Sequence, residues 1–374
     1  MINKERLIRL TQELVRIPSE NPGGNEEAVA RYVARLLRRL GLRPRTYEFK
    51  QKRTNVVATL KGRDSAGTLL ITPHLDTVPA GKSWRYPPFG GLRKGKRLYG
   101  LGATDCKCNL AVGLEAMESL VEEGCVLDYN LCLAATADEE SGSALGLIPL
   151  LDKGILRPDA ALVLDADDFA VVVAQKGLIH LKVQFQGTKA HGAYPWRGDN
   201  AILHACESAA EIRRFPFRRR RHRLLLPPTV NIGTIHGGDK VNVVADWCEM
   251  ELDFRFLPGD SAGKILADLK RLLARHTRRY SIEVEGIQQP YQISETHPLV
   301  RHLNKAMEEK GVRPRIQGSE GATTITFFQE KGIPAVATGF GDEGCAHIAD
   351  EYVNVENVYK GALVLEEFLR RWKG

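Results

Sequence analysis

The sequence predicts an α/β protein built from a mainly parallel-sheet domain, with helices on both faces, and an inserted α+β domain. Strand and helix patterns alternate along residues 43–165, the pattern then changes, and the first pattern returns in the last quarter of the chain. Such alternation is typical of a parallel sheet with helices on its two faces. A chain of 374 residues is also too long for one small core, so two domains are expected. We assign residues 1–176 and 291–374 to the first domain and residues 177–290 to the inserted one.

Hydrophobic spacing predicts the elements of the first domain. Apolar residues that recur three and four apart indicate amphipathic helices, and short apolar runs bounded by turn residues indicate buried strands. The predicted helices are residues 4–16, 25–40, 110–121, 143–153, 298–310, 323–330 and 356–373. The predicted strands are residues 43–49, 55–60, 68–72, 97–100, 129–136, 160–164 and 335–338.

The inserted domain has a different pattern. Its first segment alternates apolar and polar side chains, which is typical of a strand with one exposed face. The order is strand, helix, two strands, helix and strand, over residues 179–185, 200–213, 229–235, 241–255, 261–276 and 281–285. This order predicts an antiparallel sheet covered by two helices.

Composition and charge argue against several classes of protein. Hydrophobic residues make up 43% and charged residues 26% of the chain, as in ordinary globular proteins. The formal charge of +7 is modest, and much of the excess lies in the arginine-rich residues 213–223. We interpret this run as a solvated surface segment, with an anion or nucleic-acid patch as the alternative. No stacking platform or RNA-binding motif accompanies the run, so a nucleic-acid partner is not expected.

Cysteine usage and hydropathy indicate a cytoplasmic protein. The seven cysteines are odd in number and scattered, which favours reduced thiols over a disulfide framework. No window of about 18 apolar residues is present, so neither a membrane span nor a membrane partner is expected. The first residues lead into an amphipathic segment, so no signal peptide is expected.

A histidine and an acid follow the predicted strand 68–72. Pro73 cannot donate a ladder hydrogen bond and marks the end of that strand. His74 and Asp76 come next, and side chains two residues apart on an extended chain point to the same side. The carboxyl ends of strands are where α/β proteins place their chemistry. We interpret His74 as a metal ligand steadied by Asp76; the alternative is a capped turn with a surface histidine.

Further acids and a second histidine follow other predicted strands of this domain. Strand ends of one sheet lie along one edge, so residues distant in sequence can meet there. Two histidines and three acids suffice for two ions that share one carboxylate, and they suit zinc, or cobalt or manganese in its place. The five predicted ligands are His74, Asp105, Glu140, Asp165 and His347. Asp76 and Glu139 remain for support and proton transfer. The alternative is that these side chains cap unrelated turns.

These residues lie in motifs that resemble one known family. The motifs are His74-Leu75-Asp76, Gly102-Ala103-Thr104-Asp105, Asp138-Glu139-Glu140 and the late His347 before Asp350-Glu351-Tyr352-Val353. The inserted domain adds residues 187–195, 198–201 and 237–242. In joint order and spacing the series resembles the dinuclear zinc hydrolases that include aminoacylase, acetylornithine deacetylase, succinyl-diaminopimelate desuccinylase and carboxypeptidase G. The likeness covers nearly the whole chain.

The resemblance implies how two ions would be bound. One ion would be held by His74 and Asp165, the other by Glu140 and His347, and Asp105 would bridge them. This arrangement makes the first domain the catalytic one.

The resemblance also implies roles for the remaining acids. Asp76 would hydrogen-bond His74 and fix its ring. Glu139 would be the general base: it would take a proton from a water between the metals, and the resulting hydroxide would attack an amide carbonyl. Glu139 would then protonate the leaving amine. On a regular strand, Glu139 and Glu140 would point in opposite directions, which fits two different roles.

For the inserted domain the resemblance implies a lid that also forms a homodimer. His191 would reach the partner's active site and stabilise the tetrahedral oxyanion; a packed turn histidine is the alternative. Asn242 and Arg255 would line the substrate side, where the Arg255 guanidinium would grip a carboxylate. The alternative for Arg255 is an ion pair with an acid such as Asp253.

The predicted function is a metal-dependent amide hydrolase that removes the acyl group from an N-acyl amino acid. One alternative is a dipeptidase or carboxypeptidase of the same family, and another, of a different class, is a non-catalytic metal-binding dimeric module. Two residues depart from the family pattern: Cys108 replaces a usual glycine, which bears on the turn after Asp105, and Thr324 stands where an acid is frequent, which bears on the substrate.

Overall fold

The structure, a computed structural model, describes residues 1–63, 67–218 and 220–373. The chain forms two compact units. Unit 1 comprises Met1–Val173, Ile293–Gln317 and the chain from Thr323 onward, and unit 2 comprises Ala174–Gln292 and Gly318–Ala322. Unit 2 therefore takes up a short segment that is distant in sequence from its main stretch.

Helices and strands are numbered in chain order. The helices are α1 (Lys4–Val15), α2 (Glu27–Arg39), α3 (Lys107–Glu122), α4 (Leu147–Asp152), α5 (Ala201–Ile212), α6 (Ala262–Leu273), α7 (Pro298–Glu309), α8 (Ile325–Glu330) and α9 (Val355–Arg371). The strands are β1 (Arg45–Glu48), β2 (Thr54–Leu60), β3 (Thr68–Thr72), β4 (Leu92–Lys94), β5 (Arg97–Tyr99), β6 (Asn130–Ala135), β7 (Ala160–Leu164), β8 (Ala170–Gln175), β9 (Gly177–Gln186), β10 (Thr229–Gly237), β11 (Trp247–Phe256), β12 (Tyr280–Gln288), β13 (Tyr291–Gln292), β14 (Arg315–Ser319), β15 (Ala335–Thr338) and β16 (Tyr352–Asn354).

The central sheet of unit 1 has the strand order β1-β2-β6-β3-β7-β15-β8. Its middle strands β6, β3, β7 and β15 are parallel, and the outer pairings are antiparallel. Every residue of β7 is buried, as are Leu69, Leu70 and Ile71 of β3. Such continuous apolar strands are typical of a sheet covered on both faces. The predicted fold class is confirmed, and the carboxyl ends of β3, β6, β7 and β15 lie at one edge.

Amphipathic helices cover this sheet. α1, α3, α7 and α9 pack against one another, α3 contacts β7, and α7 and α8 contact β15. In α9 the buried positions Val358, Ala362, Leu365 and Leu369 recur at three- and four-residue spacing, which places them on one helix face. Among the described residues, no helix has both the length and the apolar character that crossing a membrane requires.

Unit 2 contains an antiparallel sheet of order β10-β11-β9-β12. Burial alternates along β9 and β11, so that paired residues such as Leu181 and Leu252 face one side. Helices α5 and α6 contribute to the core on that side through residues such as Ala205 and Leu269. The structure thus contains the predicted antiparallel sheet with two helices.

Two predicted elements begin at least four residues later than expected. The expected strand 241–255 begins only at Trp247, because the backbone at Ala245 and Asp246 bonds to Ala201 and Gly187 instead of a strand. The expected helix 143–153 begins at Leu147. There Ser143 adopts a left-handed conformation with φ of 63°, which a helix does not accommodate.

Candidate metal centre and active site

The side chain of His74 lies at the carboxyl end of β3, in the middle of the sheet of unit 1. The amide of the next residue, Leu75, donates to the Thr136 carbonyl at 2.7 Å, which continues the pairing of β3 beside β6. The side chain of His74 is 2% exposed. The parallel sheet therefore fixes His74 where several strand ends meet.

Asp105 connects the two predicted histidine ligands. Its Oδ1 lies 2.9 Å from Nε2 of His74, and its Oδ2 lies 3.1 Å from Nε2 of His347. Burial alone would raise the pKa of the Asp105 carboxyl, but the contacts with the two imidazoles hold this pKa well below its usual range. One carboxylate thus faces both histidines, each with a different oxygen.

The other two predicted ligands lie on either side of this carboxylate. Oδ1 of Asp165 is 3.6 Å from His74 Nε2, and Oε1 of Glu140 is 3.2 Å from His347 Nε2. Two groups of ligand atoms result, and within each the atoms lie within 4.8 Å of one another. The groups are His74, Asp105, Cys106 and Asp165, and Asp105, Glu140 and His347. The structure brings all five predicted ligands together.

The donor set fits divalent cations. Hydrogen bonds that His347 donates to the carboxylates of Asp105 and Glu140 raise its pKa to about 10. Burial by itself lowers the pKa of His74, but its contacts with Cys106 and Asp105 outweigh burial and raise that pKa well above the usual value. Several close carboxylates require positive charge, which two protonated imidazoles or two divalent cations can supply. Imidazole nitrogens and carboxylate oxygens are suitable ligands for such cations.

Glu139 and Glu140 follow β6 on a short 3₁₀ helix, Glu139–Ser141, so the strand geometry that was used to assign them opposite directions does not apply. The left-handed residue Asp138, with φ of 67°, turns the chain before this helix. Both carboxyl groups therefore reach the same cluster. Burial raises the pKa of Glu139 well above its usual value, and the charge of Asp165 adds to this effect. A carboxyl group with that tendency to hold a proton is suited to proton transfer.

Asp76 supports the cluster differently from the expected ring hydrogen bond. The His74 Nδ1 atom lies 2.9 Å from the Asp76 main-chain oxygen and 3.6 Å from the carboxylate. The carboxylate instead accepts from the main-chain amides of Glu139 and Glu140, both at 3.1 Å. It also accepts from Asn21 at 2.9 Å. The Asp76 carboxylate thus fixes the 3₁₀ turn, while its main-chain oxygen orients the imidazole.

A buried ionic network behind this turn was not predicted. Arg53 donates to Oδ1 of Asp138 at 2.6 Å and to Glu26 at 2.9 Å. The side chains of these three residues are 8%, 5% and 0% exposed. Asp138 also accepts from the Leu145 amide at 2.9 Å. Glu26 lies in a predicted helix and Asp138 in a predicted motif, but no sequence signal paired these acids with Arg53.

Glu351 is a second unpredicted support. Its carboxylate accepts from the main-chain amides of Gly102, Thr104 and Asp105 at 2.8 to 3.0 Å. Burial raises the pKa of Glu351 to about 7. The sequence motif after His347 contains this residue, but its role as an anchor for the Asp105 loop depends on a contact 246 residues away.

Three other side chains bear on predictions made from the sequence. Cys106 was not predicted at the site, yet its Sγ lies among the ligand atoms around His74. Cys108 is buried in α3 and donates to the Thr104 carbonyl at 3.2 Å. Thr324 is 5% exposed and directly precedes α8. Cys108 and Thr324, the two residues that depart from the family pattern, are therefore both buried.

The three remaining predicted residues lie in unit 2. His191 and Asn242 are exposed neighbours, because Gly192 donates its amide to the Asn242 carbonyl at 2.8 Å. Arg255 forms two hydrogen bonds with Asp253, at 2.7 and 2.9 Å, which is the alternative that the sequence left open. A carboxylate-binding role for Arg255 would require release of Asp253.

The arginine-rich residues 213–223 also lie in unit 2. Arg213, Arg214, Arg218 and Arg220 are exposed, whereas Phe215 is buried. Arg219, part of the same prediction, lies outside the described residues. The run is therefore a surface segment with a buried anchor.

The sheet and its ring of imidazoles and carboxylates are typical of a metal-dependent hydrolase. The chain belongs to the peptidase family M20/M25/M40, whose family model matches residues 70–371. It is 28% identical to an acetylornithine deacetylase of Edwardsiella ictaluri, over 98% of this chain and 97% of the relative. It is 32% identical to an acetylornithine deacetylase of Erwinia tasmaniensis, over 79% and 77%.

A solved structure supports the fold over the whole chain. The crystal structure of aminopeptidase PepT from Bacillus cereus has a TM-score of 0.81 and 23% identity, covering 99% of this chain and 98% of that one. As a member of this family, the protein is a metal-binding hydrolase that acts on amide or peptide bonds. Membership thus favours the enzyme over the non-catalytic module.

Proposed function

We propose that this hydrolase removes the acyl group from an N-acyl amino acid, using two divalent ions held in unit 1. The position of Asp105, with one oxygen towards each histidine, is the observation that carries the proposal. His74 and Asp165 would hold one ion, Glu140 and His347 the other, and Asp105 would be shared. Divalent ions at such a site supply Lewis acidity, which polarises a substrate carbonyl and makes water a stronger acid.

The chain's own residues perform the proton transfers in this proposal. Glu139 accepts the proton of the attacking water and later donates it to the leaving amine. The main-chain amide of Glu139 donates a hydrogen bond to Asp76, and this contact holds in place the turn that carries the Glu139 carboxyl group. Cations beside Glu139 would oppose the rise in its pKa that burial causes, so that the group can release a proton as well as accept one.

Zinc is the proposed metal, with cobalt or manganese as substitutes, because imidazole and carboxylate ligands suit all three. The acyl amino acid is preferred as substrate because the acetylornithine deacetylase relatives align over most of the chain. A dipeptide is the second candidate, since the aminopeptidase shares the fold. Asn242 remains the proposed substrate contact in unit 2.

We further propose a homodimer formed through unit 2, in which His191 acts in the partner's active site. Support comes from exposed apolar side chains on and beside the edge strand β10. Among them, Leu203, Ile235 and Val241 are 59%, 44% and 102% exposed. A contiguous patch of exposed apolar side chains is typical of interaction surfaces, and the proposal is that these residues belong to one. A cytoplasmic location is part of the proposal, because all seven cysteines are free thiols.

The test of the mechanism is Glu139→Gln, which keeps the shape of the side chain and removes its basicity. We expect the rate of hydrolysis to fall by about 10²–10⁴-fold, while elemental analysis finds the wild-type metal content. The control Glu330→Gln, at the exposed end of α8, should leave both unchanged. Loss of metal together with activity would make Glu139 a ligand instead of the base.

The substrate is tested with the metal-loaded wild-type protein. Acetyl and succinyl derivatives of a set of amino acids are compared with dipeptides by their kcat/KM values. Deacylation faster than dipeptide cleavage supports the proposal, and the reverse order would reassign the enzyme as a peptidase. A wild-type protein that holds less than about one ion per chain after supplementation would exclude the two-ion mechanism.

A further inference from the structure

The arginine segment, residues 213–223 of unit 2, takes no part in the proposed reaction. It contains seven arginines and no acid. The whole chain has 53 Lys and Arg against 46 Asp and Glu. The excess of seven equals the number of arginines in the segment, so the rest of the chain is balanced. Because the excess positive charge is concentrated in this one segment, its role should be sought in the surroundings of the segment.

Two phenylalanines fasten the segment to the core of unit 2. Phe215 is 7% exposed, and its ring centroid lies 5.0 Å from that of Phe254 on β11 and 4.8 Å from that of Phe217. Phe217 is partly buried against the same core. The neighbouring Arg213, Arg214 and Arg218 are therefore attached to an anchored backbone, in contrast to an ordinary solvated charge run.

The segment borders a cleft at the C-terminal ends of α5 and α6. The cleft has a volume of about 690 Å³. The charged residues of its lining are Glu211, Arg213, Arg214, Asp268, Arg271 and Arg275. Four guanidinium groups thus surround one concave site of a size that suits a small ligand.

Both acids in this lining are already paired with basic residues. Glu211 lies 3.2 Å from Arg275 and also 3.2 Å from His276. Asp268 forms ion pairs with Lys264, at 2.8 Å, and with Arg271. The acids are therefore neutralised, and the cleft keeps an excess of positive charge.

Arg213 and Arg214 supply that excess. Within the ranges that the structure describes, neither guanidinium has an acidic partner within 4 Å, whereas Arg271 and Arg275 have one each. Favourable interaction with the helix dipole at the C-terminus of α5 would explain one basic residue there. It does not explain two adjacent arginines that face a cleft.

We propose that this cleft binds a small oligophosphate anion, with Arg213 and Arg214 as the main contacts. A guanidinium presents paired N–H donors that match the oxygens of a phosphate group, so two adjacent guanidiniums suit two linked phosphates. A single-stranded nucleic acid is disfavoured because Phe215 and Phe217 pack inward and offer no surface for base stacking. The proposal does not depend on the hydrolytic reaction.

The test is calorimetric titration of the full-length protein with inorganic tripolyphosphate at physiological ionic strength. The wild type should show saturable binding with one site per chain. Arg213→Gln combined with Arg214→Gln should weaken binding about tenfold or more, since each lost charged hydrogen bond is worth about that factor. Arg213→Lys with Arg214→Lys, which keeps the charge but not the paired donors, should fall between.

The matched control is Arg38→Gln combined with Arg39→Gln. These adjacent, exposed arginines lie in the last turn of α2 and give the same change in net charge. The control should bind like the wild type. Absence of saturable binding, or equal weakening by both double variants, would overturn the proposal. So would tighter binding of a single-stranded RNA oligonucleotide that is lost in the Arg213/Arg214 variant, because the site would then be a nucleic-acid site.

Discussion

At the scale of single residues, the buried network of Glu26, Arg53 and Asp138 connects α2, β2 and the 3₁₀ turn that carries Glu139. Each member is more than nine-tenths buried, so each charge depends on its partners for compensation. Burial raises the pKa of Glu26 to about 7, against the opposing effect of Arg53. The position of the turn that carries the proposed base thus depends on charges outside the ligand cluster.

We predict that Arg53→Met lowers the free energy of unfolding by about 3–5 kcal/mol, because two buried carboxyl groups lose their counter-charge. Urea denaturation followed by circular dichroism measures this change. The matched control is Arg63→Met. Arg63 forms an ion pair with Asp128, and the two side chains are 69% and 51% exposed, respectively. This exposed pair should contribute less than about 1 kcal/mol. Equal effects of the two substitutions would show that the network adds little to stability.

Sequence reasoning works for residues whose position follows from a strand end and fails for residues that only meet in three dimensions. His74 was predicted as a ligand because it follows the buried strand β3, and its position agrees with that reasoning. Asp105 was predicted because its loop follows the strand 97–100, but this strand, β5, belongs to a separate sheet with β4 and β16. Arg53 is 27 residues from Glu26 and 85 from Asp138, and nothing in its local sequence marks these partners. Cys106 was not predicted either, because a buried cysteine usually behaves as a small apolar residue and its sequence alone does not indicate a role at a metal site.

At the scale of elements, α9 shows how a close contact can reverse the usual effect of a substitution. A Cβ atom at Gly361 would lie 2.2 Å from the ring of Phe340. Phe340 follows β15 and is fully buried. The helix thus approaches this ring only because residue 361 has no side chain.

We predict that Gly361→Ala is destabilising by about 1–3 kcal/mol, since overpacking exceeds the gain in helix propensity of at most about 1 kcal/mol. The control is Gly263→Ala in α6, where the new Cβ would meet only the Ser261 hydroxyl at 3.6 Å. That substitution should be neutral or stabilising. Thermal unfolding of both variants measures the difference, and a stabilised Gly361→Ala protein would contradict the close packing of α9.

Element types were predictable where the hydrophobic pattern is long and regular, as in β9 and α9. Boundaries were less so. The run 241–246 has strand-like composition, but hydrogen bonds from Gly187 and Ala201 take its backbone out of the ladder. The 3₁₀ helix that holds Glu139, just after the predicted strand 129–136, was not predicted, because the left-handed conformation of Asp138 leaves no clear sequence signal.

At the scale of the whole molecule, the five proposed ligands and Glu139 all belong to unit 1, whereas His191 belongs to unit 2. The exposed imidazole of His191 accepts a hydrogen bond from the Ala193 amide at its Nδ1 atom, 3.0 Å away. This contact leaves Nε2 free to carry the proton and donate it to an oxyanion. A proposed role in the partner's active site makes the dimer the functional unit.

We predict that mixed dimers of His191→Ala and Glu139→Gln subunits recover activity that neither homodimer has. In a mixed dimer, one active site combines the intact Glu139 of one subunit with the intact His191 of the other. Random exchange at equal concentrations should restore about a quarter of the wild-type rate, since half of the dimers are mixed and each has one complete site.

Differently tagged subunits, purified in two affinity steps, allow the mixed dimer to be assayed alone, where half of the wild-type rate is expected. A verified mixed dimer without activity would place His191 in its own chain's site or outside catalysis, and a monomer by ultracentrifugation would remove the basis of the proposal.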